Sequence, residues 1–313
     1  MGEYGTRVCY KIIVLFIAML AGYVAKKAKI LDGHSTKALS SLLANITNPC
    51  LLFASLQIDK DDTILKSIGL VLLMSFAIHL TMAVAGKFIF GKVKDRRDAG
   101  VYAFGLTYMN CGFMGYPIMQ AMFPEYGLLY GAIYTVPFNV FVWTHGVAVM
   151  DSSGEKRLNY KKIFLNPGII STILATVCFF WQIRLPEVAV EGINMVGGMT
   201  FPLSMIIIGS LLADQKLLPL LKDIKLLLFS VLKLAIVPLV MLAVCLGLND
   251  TIGVTVSLVC ITMCATPTAA NTAVFAEVYD SNSALAARLV GITTLYSLIS
   301  MPLILILAEK LLV

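Results

Sequence analysis

The stretch Met109-Asn110-Cys111-Gly112-Phe113-Met114-Gly115-Tyr116-Pro117 decides how this chain is read. It lies inside a long apolar run and carries an asparagine, two glycines and a proline within eight positions. Proline removes a backbone donor and clashes with the carbonyl four residues back. Each glycine weakens a helix by about 1 kcal/mol relative to alanine. A second run carries Ala265-Thr266-Pro267-Thr268-Ala269-Ala270-Asn271, with proline and small polar residues but no glycine. Both segments predict a helix that unwinds locally and then resumes.

The surroundings say what kind of helix is interrupted. Of 313 residues, 59% are hydrophobic and only 13% charged, and the mean hydropathy is +0.88. A soluble domain is roughly half apolar and about a quarter charged, so there is too little polar surface here to solvate a globule. The composition excludes a soluble enzyme, a disordered chain and a disulfide-stapled secreted module. Charges cluster between long apolar runs, which argues for spanning helices rather than a barrel. The net charge of +6 is then a matter of loop placement and not a nucleic-acid footprint. The seven cysteines lie in apolar runs without zinc-type spacing and read as packing residues.

A spanning helix needs about 20 apolar residues. Ten runs qualify: Cys9–Ala25, Ala38–Gln57, Ile64–Phe90, Gly100–Phe123, Glu125–Met150, Pro167–Gln182, Val188–Leu212, Leu226–Leu248, Thr251–Val278 and Ser283–Leu307. The connections between them are too short for an extramembrane domain. Of the 24 Lys and Arg, 16 fall at the odd-numbered connections and 6 at the tails and even-numbered ones. Positive residues are retained in the cytoplasm, so the expected orientation puts both termini outside, in a plasma (inner) membrane. The ninth connection carries Glu277 and Asp280 but no cation, and Arg288 is positioned to reach down to it.

The breaks recur in corresponding places. Thr47 and Pro49 in the second run match Thr200 and Pro202 in the seventh at an offset of 153, and the fourth and ninth runs hold the two interrupted segments. The expected domains are a first five-helix repeat over 1–150, a cytoplasmic linker over 151–166 and a second, inverted five-helix repeat over 167–313. Five spans end opposite their start, so the second copy is upside down. Inverted repeats with interrupted helices in matching places are the signature of a secondary transporter.

Unwound backbone at bilayer depth is tolerated only where protein or a wet cavity satisfies it. Two broken helices that cross would make such a place. Their half-helix N-termini carry partial positive charge that suits an organic carboxylate, and Asn110 and Asn271 supply amides that can reach substrate or loosened backbone.

These residues carry a family resemblance. NITNPCLLFASL (Asn45–Leu56), MNCGFMGYPIM (Met109–Met119), PFNVFVWTHG (Pro137–Gly146), MTFPLSMIIIGSLLA (Met199–Ala213) and ATPTAANTAVFAEVYDSN (Ala265–Asn282) resemble, in order, the second, fourth, fifth, seventh and ninth helices of the auxin efflux carrier family. The chain resembles a bacterial member, related to the plant PIN-type exporters, over essentially its full length. The resemblance implies an all-α polytopic fold of ten helices in two inverted five-helix repeats, as in the bile-acid-type carriers. It implies a scaffold of helices one, two, six and seven and a moving unit made of the rest. By position it carries over Asn110, Gly112, Pro117, Pro267 and Asn271 at the crossover, with Asn45 and Pro49 facing them from the scaffold. The long cytoplasmic loop of the plant exporters is absent here, so its regulatory features do not carry over.

Ionisable groups inside spans are functional candidates by default. Lys233 lies eight residues past Lys225, about 12 Å along a helix; it either stretches towards the cytoplasm or faces the cavity as a counter-charge for an anion. His79 and His145 fit a proton relay or a hydrogen-bonded packing role. Glu277 fits a solvated helix end or a coupling site. Few buried carboxylates are available for a sodium cage, so proton and sodium coupling both stay open, and no cofactor or metal is called for. The spacing of Gly127 and Gly131 permits close helix contact within the chain or between two copies in a homodimer.

The function expected is a secondary active carrier of small organic anions, working between a scaffold and a moving crossover unit, with a carboxylate and the lipid bilayer as partners and no nucleic acid. The rivals are a passive channel, a sensor and an intramembrane enzyme. No GxSG, HExxH or intramembrane aspartate pair supports an enzyme, and Asp61-Asp62 falls in an outside loop.

Overall fold

The structure, a computed structural model, describes residues 3–57, 62–124, 126–151, 165, 167–215 and 217–312. Most of the 151–166 linker and Asp61 lie outside the described residues. Among the described residues the secondary structure is helical, apart from turns and one isolated antiparallel bridge. The helices are α1 (Glu3–Lys27), α2 (Gly33–Leu42), α3 (Asn48–Ser55), α4 (Asp62–Phe90), α5 (Arg96–Thr107), α6 (Tyr116–Met122), α7 (Gly127–Phe141), α8 (Val147–Met150), α9 (Pro167–Phe180), α10 (Glu187–Gly198), α11 (Thr200–Ala213), α12 (Leu217–Lys222), α13 (Ile224–Val231), α14 (Val237–Ala265), α15 (Thr272–Val278) and α16 (Ser283–Leu312).

Single turns of π-helix, Leu43–Thr47, Cys111–Gly115, Val142–Gly146 and Leu232–Ile236, join α2 to α3, lead into α6, join α7 to α8 and join α13 to α14. Three of them have the same local cause. Pro49, Pro117 and Pro238 each sit in the first turn of the succeeding helix. A widened turn gives the proline ring room and re-satisfies the carbonyl it would otherwise block.

Seven helical stretches among the described residues are long and apolar enough to cross a membrane, and α9 is a shorter apolar helix. One of the seven, Ile224–Ala265, has 42 residues. At about 1.5 Å per residue it would be roughly 63 Å long, twice a hydrocarbon core of about 30 Å. It does not run straight: Gly253 has φ 77° and ψ 164°, a conformation essentially reserved for glycine, so the stretch is two helical arms joined by a break.

The pattern of exposure fits a lipid solvent. Along α1, Tyr10, Ile13, Ile17, Leu20 and Val24 are exposed at helical spacing, an apolar stripe that a soluble protein would hide. The buried set includes many polar residues, among them Thr107, Asn110, Thr135, Thr200, Ser204, Lys233, Thr268 and Thr293. The chain is a polytopic helical membrane protein.

The α1 helix packs along α11, and α3 packs against α9 and α10, while α4, α7 and α16 pack around the two interrupted rods, α5–α6 and α14–α15. Small residues set these approaches. A Cβ on Gly209 would lie 1.9 Å from the Met19 carbonyl oxygen, and one on Gly22 would lie 2.2 Å from that of Ile206. The Gly127 and Gly131 pair is used inside the chain: a Cβ on Gly127 would lie 2.0 Å from the Met119 oxygen, and one on Gly131 would lie 2.8 Å from the Tyr116 ring.

One charge expectation is corrected. Arg288 does not reach the ninth connection but pairs with Asp223, whose carboxylate also accepts from the Lys225 and Leu226 amides at the start of α13. Asp280 is served instead by Arg97, at 2.8 Å. Arg288 begins the last helix beside the α12–α13 turn, so the nearer acid is across that turn.

Because Gly209 meets backbone and not a flexible side chain, Gly209→Leu should prevent the α1–α11 contact. We expect a loss on the order of 1–3 kcal/mol or more, read as a fall of several degrees in the melting temperature of detergent-purified protein. Gly247→Leu, where a Cβ meets nothing within 4 Å, should melt like the parent; equal melting of all three proteins would contradict the packing.

Candidate functional site: the crossing of two broken helices

The second segment unwinds over Thr266–Asn271, where the sequence places its break, whereas the first unwinds at Tyr108–Asn110, ahead of the glycines and Pro117, which sit in the resumed π-turn and helix. The chain leaves α5 at Tyr108 (φ −103°, ψ 121°) and leaves α14 at Thr266 (φ −69°, ψ 151°), both extended. The two extended stretches lie antiparallel, with Met109 opposite Thr268. The Asn110 N–H donates to the Pro267 carbonyl at 2.8 Å and the Ala269 N–H donates to the Tyr108 carbonyl at 3.0 Å. Each break thus supplies the partners that the other one lost, which meets the demand for backbone satisfaction in lipid. Side chains finish the seal: Thr268 Oγ1 donates to the Gly105 carbonyl at 3.1 Å, and the Thr268 N–H donates to Thr293 Oγ1 at 3.2 Å.

Asn110 and Asn271 are the N-cap residues of the resuming helices, Asn110 ahead of Cys111–Gly115 and Asn271 ahead of α15. An N-cap asparagine ordinarily accepts from the backbone of its own first turn. Neither does so here. Their amides turn instead to a cavity of about 190 Å³, lined by Asn48, Asn110, Gly112, Asn139 and Asn271 together with Tyr116, Thr135 and apolar neighbours. Asn48 Oδ1, Asn110 Nδ2 and Asn271 Oδ1 are buried with no hydrogen-bond partner. An unpaired buried polar atom costs about 1–3 kcal/mol, so three in one hollow give it unmet hydrogen-bonding capacity. Rotation of an amide exchanges its donor and acceptor ends, so each can serve either kind of ligand atom. One wall is fixed: the Tyr116 hydroxyl donates to Thr135 Oγ1 at 2.8 Å, and Thr135 donates in turn to the Ala132 carbonyl at 2.8 Å. No charged side chain lines the cavity among the described residues. Gly112 leaves open space where a side chain would stand.

Of the residues expected from sequence, Asn110, Gly112 and Asn271 therefore meet at the cavity. Pro117 and Pro267 are buried in the crossing but do not line it. Asn45 is exposed, its amide bonded to the Ser41 carbonyl at 2.8 Å, and Pro49 lines a separate apolar hollow with Cys50, Phe53 and Pro167. The reason is the π-turn at Leu43–Thr47, whose extra residue rotates the succeeding helix by about 100°; Asn48 then faces the crossing. His79 is fully buried, its Nδ1 2.7 Å from the Ser75 carbonyl oxygen, and is packed among the rings of Tyr108, Tyr134, Phe138 and Phe141. His145 Nδ1 is 3.0 Å from the Tyr108 hydroxyl. Glu277 stands at the exposed end of α15, 4.0 Å from Lys37. Lys233 is fully buried under the end of α5, away from the cavity lining. Sequence reasoning missed Asn48, Asn139, Thr135 and Tyr116. For Asn48 the signal is the doubled asparagine of Asn45-Ile46-Thr47-Asn48-Pro49, in which the second member, not the first, faces the cavity.

A second hollow of about 250 Å³, lined by Asp214, Gln215, Ala273, Thr294 and apolar residues of α11 and α16, shares Ala270 with the first. Ala270, just after the extended stretch of the second rod, thus borders both hollows.

Comparison with known proteins bears on what such a crossing does. A family of membrane transport proteins matches residues 7–162 and 157–305. A transporter of Methanothermobacter thermautotrophicus is 25% identical over 303 residues, covering 93% of this chain and 95% of that protein. A transporter of Methanocaldococcus jannaschii is 25% identical over 220 residues, covering 66% of this chain and 69% of that protein. Both are described as uncharacterized transporters. With its crossing of two interrupted helices and a match that runs nearly its whole length, the chain belongs to the membrane transport protein family, the auxin efflux carrier-like family that its motifs resemble.

Proposed function

We propose that this membrane transporter is a secondary carrier of small organic anions, with carboxylates as the substrate class. The observation that carries the reading is the set of three amides, on Asn48, Asn110 and Asn271, each with one buried atom that has no partner, in one cavity at the crossing. Amide donors and the first-turn N–H groups of the resuming helix at Gly112 and Phe113 favour an anion. The cavity, at about 190 Å³, is smaller than the roughly 300–1,000 Å³ of sites for drug-sized ligands. A short dicarboxylate of the malonate or malate type fits that size better than an indole-type acid.

The mechanism we infer uses ten spans in two inverted halves, 1–150 and 167–313, joined by a cytoplasmic 151–166 linker, with both termini extracytoplasmic in a plasma membrane. Two contacts support the inversion. Thr47 and Thr200, matched at the offset of 153, touch each other, with Oγ1 atoms 3.0 Å apart. Equivalent residues that meet lie on the two-fold axis relating the halves. The first span packs on the seventh and the sixth on the second, which is the same contact seen from either half. On this reading α1, α2, α3, α9, α10 and α11 form the scaffold and the remaining helices form the moving unit. Rocking or sliding of the unit would open the substrate cavity to alternate sides, with the second hollow, which shares Ala270 with it, as a vestibule on one side. Energy comes from a gradient: membrane potential, protons or sodium.

Uptake of labelled carboxylates into proteoliposomes tests the substrate class. We expect malonate- or malate-sized acids to accumulate and to compete with one another. No movement or binding of any carboxylate, under any proton, sodium or electrical gradient, would refute the anion-carrier reading. The site is tested by Asn48→Ala, Asn110→Ala and Asn271→Ala, each expected to cut uptake at least tenfold while yielding folded protein. Asn45→Ala, which faces Ser41, should transport like the parent. Parental rates in all four variants would remove the site from this cavity.

A further inference from the structure

Lys233 has none of the usual reasons to be buried. It is 0% exposed, and among the described residues no carboxylate pairs with its ammonium. It donates instead to the Leu106 carbonyl, at 2.7 Å. The titratable groups that share its field are the thiols of Cys111 and Cys264 and the His79 ring, and none of these is a carboxylate. An ammonium inside a membrane is expensive unless something compensates its charge.

The position of the bond explains why a charge is there. Leu106 is the next-to-last residue of α5, so its carbonyl is one of the orphan acceptors at the negative end of a broken helix. The neighbouring Gly105 carbonyl is taken by Thr268 Oγ1. In carriers built from discontinuous helices, such C-terminal ends and unwound carbonyls are where small coupling cations are held. Lys233 reaches this place from the π-turn Leu232–Ile236, whose widened backbone sets the side chain beneath the crossing.

We propose that the Lys233 ammonium is a built-in cation, tethered at the negative end of α5 in place of an exchangeable alkali ion, so that the crossing holds a fixed positive charge and needs no metal ion to carry an anion. The electrostatic part stands on the fold alone. The transport consequence rests on the anion-carrier reading above.

The test is thermal unfolding of the purified full-length chain in detergent at constant ionic strength, with choline, sodium, potassium or n-propylammonium chloride as the only salt. Propylammonium is the part of the lysine side chain that Lys233→Ala removes. The parent should melt at the same temperature in all four salts. Lys233→Ala should melt several degrees lower in choline and recover at least half of that loss in sodium or propylammonium. Lys233→Met, which fills the space without a charge, should be destabilised and not rescued. A Lys233→Ala protein that melts like the parent in choline, or whose loss no small cation restores, would overturn the proposal. So would selective stabilisation of the parent by sodium, a result that can be read even if the alanine variant fails to fold. In proteoliposomes, parental uptake should be equal in sodium and choline, and Lys233→Ala uptake should become sodium-dependent. Failure of every carboxylate to move would sink the carrier reading while leaving the melting result intact.

Discussion

Two backbone hydrogen bonds, from Asn110 to Pro267 and from Ala269 to Tyr108, hold the rest of this structure in place. In a lipid solvent a helix cannot simply stop, because the groups it frees have no water to meet and each costs several kcal/mol. Two helices that stop at the same point can satisfy each other. The antiparallel pairing of Met109 with Thr268 is the smallest sheet that does so. Once it exists, each rod acquires a C-terminal end and a fresh N-terminal end at bilayer depth, and polar chemistry becomes possible there. Asn110 and Asn271 stand at the new starts without capping them, and Lys233 and Thr268 attend to the carbonyls at the first rod's end.

The packing around the crossing follows from the same constraint. Breaking a helix weakens it, so its neighbours must hold it closely. Gly115, whose Cβ would lie 2.7 Å from the Met263 sulfur, lets the two broken segments approach, and Gly131 lets α7 lie against Tyr116. Away from the crossing, Gly22 and Gly209 bring α1 and α11 together. Ser204 of α11 reaches the Phe113 carbonyl at 3.2 Å while also serving its own Phe201 carbonyl at 2.8 Å. A hydroxyl shared in this way keeps one partner if the other is lost.

Much of this is legible in the sequence because lipid restricts what a chain can do. The apolar runs locate the helices, with ends that agree to within a few residues for the long ones, as in Ile64–Phe90 against α4. Proline and small polar residues locate the break at Thr266–Asn271, but the glycines and Pro117 mark the helix that resumes after the first break, which itself falls at Tyr108–Asn110. Helical phase around an irregular turn is not legible. The π-turn at Leu43–Thr47 leaves no mark that separates it from an ordinary turn before Pro49, so the sequence points to Asn45 where Asn48 stands. Long-range partners are not legible either. Nothing near Arg288 points to Asp223, and nothing near Lys233 points to the Leu106 carbonyl, 127 residues away; both are set by how helices distant in sequence come to lie side by side.

If the crossing of two broken helices is itself the binding site for a small carboxylate, an experimentally determined structure of the full chain, in lipid nanodiscs at saturating malonate, will show it. The dianion should lie between Asn48, Asn110 and Asn271, within hydrogen-bonding distance of their amides, with Met109 still opposite Thr268. Malonate bound elsewhere, or 108–110 and 267–269 running apart, would contradict the assignment.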